Sequence, residues 1–148
     1  MKLPEYITKP EVQRVCQELG IQDWTKLAEA VVPLSEAEIV QTAVGSEALL
    51  IPAEAFKQGL EVELEHGVRF PEANVTNNHP LLTGMIVLAH LKETLDYYVR
   101  LDVAEMEGDM LKAYRVGDTD KLASKYALLL QAKAKLAERE KDSITNKR

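Results

Sequence analysis

A chain of 148 residues with a net charge of −6 and 46% hydrophobic residues is long enough for one domain with a sizeable core and short for two. The acidic balance excludes a nucleic-acid backbone as the main partner, because phosphate binding needs a basic face, and it leaves small cations as more natural ligands. A single cysteine, Cys16, excludes a disulfide framework and cysteine-based zinc motifs, no run of eighteen apolar residues offers a membrane span, and the opening MKLPEYITKPEV lacks a signal-peptide core; a cytoplasmic protein is expected.

In chain order, Thr8 and Glu11 have capping-box spacing around Pro10 and open a helix carrying Val12, Val15 and Leu19, closed by Gly20. Residues 22–34 hold Trp24, Leu27 and Val31 as packing residues but fix no regular element. Ser35 and Glu38 repeat the capping signature ahead of Ile39, Val40 and Val44, with Gly45 as a weak point or the end. Pro52 opens a third helix with Phe56, Leu60 and Leu64 on one stripe, and Gly67 is the expected stop.

The stretch VRFPEANVTNNHP is dense in Pro and Asn and reads as an ordered loop, which also absorbs the sequon-like Asn74, Val75 and Thr76. Asn77 or Asn78 then caps a helix with Pro80 in its first turn, predicted to run unbroken through LLTGMIVLAHLKETLDYYVRLDVAEME. Gly108 weakens that helix near its end, Gly117 breaks the chain, and Asp118 or Thr119 caps a final helix edged by Leu122, Tyr126, Leu129 and Leu136. The expected fold class is all-α, a small helical bundle of about four to six helices with one long central helix. It forms one domain over residues 1–148, with an N-terminal helical segment (1–50), a motif-bearing helix–loop–helix core (52–107) and a C-terminal helix (118–142).

The chemistry concentrates in two mirrored pairs. Glu63 and His66 stand three residues apart on one helix, and His90 and Glu93 do so in reverse order on the next. Residues three apart share a helix face, and reversal suits an antiparallel neighbour, so the four side chains can converge. The helical stripes aim them inward, and a buried carboxylate is costly unless a cation neutralises it. Carboxylate and imidazole together select Fe, Mn or Zn over Ca or Mg and do not choose among the three.

Glu65 and Asp96 are placed to orient an imidazole by accepting its second N–H, and Tyr97 to add a hydroxyl hydrogen bond. The plainer alternative is that both pairs are structural, two hydrogen-bonded helix contacts with no ligand. His79 reads as a capping or solvated loop residue, and Cys16 as a small core residue rather than a nucleophile.

The stretches FKQGLEVELEHG, NVTNNHPLLTG and IVLAHLKETLDYYVRL resemble a family of small uncharacterised bacterial and phage-associated proteins. Such proteins carry Val-Glu-x-Glu-His, Asn-Val-Thr-Asn and Ala-His-Leu-x-Glu units, the last followed by Asp or Pro and paired tyrosines. The resemblance covers roughly residues 56–101 and falls on Glu63, Glu65, His66, His90, Glu93, Asp96, Tyr97 and Tyr98. This chain departs from it at His79, where an acidic residue is usual, in an extra segment around 28–51, and in the added final helix. It implies a shared local unit and names no reaction.

The leading expectation is a divalent-metal protein with Glu63, His66, His90 and Glu93 as ligands, whether or not it is an enzyme. The alternative is a non-enzymatic assembly protein, in which the pairs fix helix packing and the C-terminal helix recruits a second copy or another protein. A ferritin-like carboxylate oxidase is a narrower third reading, short of inward glutamates from other helices.

Overall fold

The first helix begins where the capping pattern places it: the Thr8 hydroxyl accepts from the Glu11 amide at 3.4 Å, and α1 runs Lys9–Leu19 to a left-handed cap at Gly20. The computed structural model describes residues 6–45 and 47–145. Its further helices are α2 (Leu34–Val44), α3 (Ala53–Arg69), α4 (Pro80–Glu93), α5 (Tyr97–Arg115) and α6 (Thr119–Thr145), with short 3-10 turns at Trp24–Lys26, Ala48–Leu50 and Pro71–Ala73. The described residues contain no strand, and none of their helices is long and apolar enough to cross a membrane. The all-α expectation holds.

The chain divides into two compact units, Met1–Leu95 and Asp96–Arg148. In the first, α2, α3 and α4 pack together and α1 joins through α4. Val12, Trp24, Val32, Val40, Phe56, Leu60 and Val87 are fully enclosed there. Gly84 makes the α2–α4 contact close, since a Cβ at that position would meet Val44 at 2.6 Å and Val40 at 3.1 Å. Buried Gln41 donates to the carbonyls of Ala48 and Ile51 at 2.7 and 2.8 Å, tying down the turn before α3. The second unit is a hairpin of α5 and α6.

Several local expectations are corrected. The helix expected to continue unbroken from Pro80 ends at Glu93, Thr94 is extended at φ −159° and ψ 138°, and α5 starts afresh at Tyr97. A β-branched Thr gives up helix readily, and Asp96 restarts the chain by gripping Arg100 with two bonds of 3.0 and 2.7 Å. Gly67 lies inside α3 rather than ending it, and Gly108 lies inside α5. Ser35 is inside α2, which begins one residue earlier behind Pro33 with no side-chain cap. In the segment before α2, Val32 is enclosed and Val31 exposed.

Candidate functional site

The α3–α4 junction is organised by a loop whose asparagines do the work of a clamp. Asn74 donates to the Gly67 carbonyl at 3.3 Å and to the Asn78 side chain at 2.8 Å, and Asn78 donates to the Trp24 carbonyl at 3.2 Å. Asn77 reaches the Ile7 carbonyl at 2.6 Å. Both Asn77 and Asn78 adopt positive φ, 49° and 61°, a conformation that Asn tolerates better than most residues. Gly67 completes the clamp: a Cβ there would run into the Asn78 side-chain oxygen and lie 2.6 Å from the Asn74 amide nitrogen. A bare backbone at position 67 is what lets the loop lie flat on α3.

Because the asparagines are spent on the loop, His79 caps α4 instead of Asn77 or Asn78. Its Nδ1 accepts from the Leu82 amide at 3.4 Å, and the ring is buried rather than solvated. Burial pushes its pKa below the usual imidazole value, while the nearby Glu11 carboxylate opposes that shift and Arg14 adds to it.

This clamp sets α4 beside α3 so that His90 Nε2 stands 3.6 Å from Glu63 Oε1, with side chains 30% and 19% exposed. That is longer than an ordinary N–H···O hydrogen bond. Two donors on one tetrahedral ion, each at about 2.0–2.2 Å, stand about 3.3–3.6 Å apart, so the separation suits two ligands of a shared cation. Glu63 and His66 together line a cleft of about 330 Å³ walled by Phe70, Ala73, Asn74 and Thr76. His66 itself is exposed, and so is Glu93 at the C-terminal end of α4.

Of the four expected ligands, then, Glu63 and His90 meet across the helices, His66 shares the Glu63 cleft, and Glu93 faces solvent. Leu82 and Ile86, two turns and one turn before His90 on the same side of α4, are also exposed, and the buried side of α4 carries Thr83, Val87, Leu88 and Leu91. The pair therefore lies at the rim of the interface. Among the described residues no three His, Cys, Asp or Glu side chains are gathered closely enough to hold an ion as they stand.

Glu65 pairs with Arg69 at 2.6 Å and lines a different groove, with Glu29, Glu61 and Val62. In the second unit, Asp96 is held by Arg100, and the Tyr97 and Tyr98 rings pack edge to face at 5.2 Å. Buried Cys16 has its thiol pKa raised, chiefly by burial, which suits a core residue better than a nucleophile. Sequence reading passed over the Gly67, Asn74 and Asn78 clamp; its signal was the density of Asn in a loop that follows a helix glycine.

A family model described as a protein of unknown function (DUF5661) matches residues 12–107. No curated protein matches the chain, and no solved structure does.

Proposed function

The chain belongs to DUF5661, a family of proteins of unknown function, so a role has to be argued from the site, and we propose that it binds a divalent cation, Fe, Mn or Zn, at the rim of the α3–α4 interface. Glu63 and His90 form the ready half of the site. His66 and Glu93, each one helical turn from a member of that pair, complete it by turning in when the ion arrives. The observation that carries this reading is the 3.6 Å Glu63–His90 separation at a half-buried position, a spacing that two ligands of one tetrahedral ion also have. With all four in place a tetrahedral ion is fully coordinated; a position for water or substrate is left only where one of His66 and Glu93 stays out. The adjoining cleft is where a substrate would enter.

A second reading has its own support. Since no three ligands are gathered among the described residues, Glu63 and His90 also serve as an interhelical clasp in an assembly protein whose partner surface lies on α6. Elemental analysis of protein purified without chelators separates the two. The metal reading expects about one equivalent of Fe, Mn or Zn, lost on replacing His66 and His90 together with Ala. Metal-free protein in which His90→Gln merely lowers stability supports the clasp and removes the metal.

A further inference from the structure

The α5–α6 hairpin leaves one long face uncovered. At about 100° per residue, Leu122, Leu129 and Leu136 share the side of α6 that is turned inward, with Leu129 buried and the other two partly so. About a quarter-turn round, a second stripe carries Ala123, Tyr126, Ala127, Leu130, Ala134 and Ala137, every one exposed. On α5, Leu111 and Tyr114 are exposed as well. The Lys133–Glu107 ion pair at 2.9 Å puts both stripes on one side of the hairpin, because Glu107 is one turn from Leu111 and Lys133 one turn from Leu130.

We propose that this face is a dimerisation surface whose occupant is the same face of a second copy, the two hairpins closing into a four-helix bundle with α5 of each copy lying on α6 of the other. Three features favour a second copy over an unrelated partner. Two ion pairs, Arg100 with Glu140 and Lys133 with Glu107, border the face, each joining α5 to α6, and the same acid–base pairing is available between α5 of one copy and α6 of another. The alanines allow two helices to approach closely, as bundle packing needs.

The size also fits. Helices of 19 and 27 residues are about 28 and 40 Å long, and a two-helix slab of that kind offers about 600 Å² per copy, or about 1,200 Å² in all, the lower edge of a specific interface. Leu111, Tyr114, Tyr126 and Leu130 all lie beyond residue 107, where the family match ends. The apolar residues of the surface are thus outside the matched region, Arg100 and Glu107 at its border are inside it, and the surface shares no residue with the proposed metal site.

Sedimentation velocity of the full chain from about 1 µM to about 1 mM covers the affinities expected of an interface this small. The expected result is a concentration-dependent dimer that Leu130→Glu combined with Tyr126→Glu weakens at least tenfold, with helical circular dichroism and metal content unchanged. Because both positions are exposed, the variants should fold. A monomer throughout overturns the proposal. So does a dimer that the double variant leaves intact, since another surface must then hold it, or a double variant that dimerises less only because its helicity is lost while Ala134→Glu, at the same face, keeps both fold and dimer.

Discussion

The two units are held by different physics. The first encloses Val12, Trp24, Val32, Val40, Phe56, Leu60 and Val87 completely and adds buried side-chain bonds from Gln41 and Asn78. In the second, α5 buries Tyr98, Val99 and Ala113 and α6 only Leu129 among the described residues, with the ion pairs Arg100–Glu140, Lys125–Asp109 and Lys133–Glu107 along the hairpin. Enclosure fixes the helices on which Glu63 and His90 stand. A hairpin secured at its edges keeps apolar surface free for association. On the two proposals made above, the chemistry falls to the first unit and the assembly to the second.

The largest test of that contrast is a matched pair of truncations. Leu60→Ala should cost roughly 2–5 kcal/mol in urea denaturation, as enclosed leucines do, and Leu129→Ala should fall at or below the lower end of that range. Equal losses would erase the difference between the units. Next in size is Gly67→Ala, expected to cost roughly 1–3 kcal/mol by pushing Asn74 and Asn78 off α3. Hydrogen exchange should then rise across residues 70–79 before it rises in α2.

Acid should act through His79, because its Nδ1 has to stay unprotonated to accept from Leu82, facing Glu11 and Arg14 of α1. The unfolded chain takes up this proton near pH 6.5 and the folded chain only at lower pH, so the unfolded state binds more protons in between. The contribution is complete above pH 6.5 and is lost as pH falls through the folded value. His79→Asn, which caps without titrating, should flatten thermal stability in that window; an unchanged slope counts against the cap. The smallest effect belongs to the hairpin edge, where Glu107→Gln should cost under about 1 kcal/mol and less still in high salt.

Much of the fold was legible because it rests on local chemistry. Thr8, Gly20 and Asp118, which accepts from the Lys121 amide at 2.9 Å, mark helix ends through caps that depend on neighbours a few residues away. What escaped depends on distant contacts. Gly67 looks like a stop, yet its missing side chain serves the Asn74 and Asn78 clamp. The break at Thr94 carries neither Gly nor Pro, and it moves Tyr97 off the helix that bears His90. At the site, helical spacing brought Glu63 and His90 to a common junction, but periodicity does not say which edge of a stripe a neighbouring helix covers, and Glu93 stands outside that cover.

The most direct test of the metal site is a cobalt titration of metal-free protein, read in the visible spectrum, since Co²⁺ replaces Zn, Fe or Mn in nitrogen and oxygen sites and its absorption reports the donors around it. The expected result is new absorption that saturates at about one equivalent and is lost in His66→Ala and in His90→Ala while both variants stay folded. A spectrum that remains that of the hydrated ion at every ratio would contradict it and leave Glu63 and His90 as a clasp between two helices.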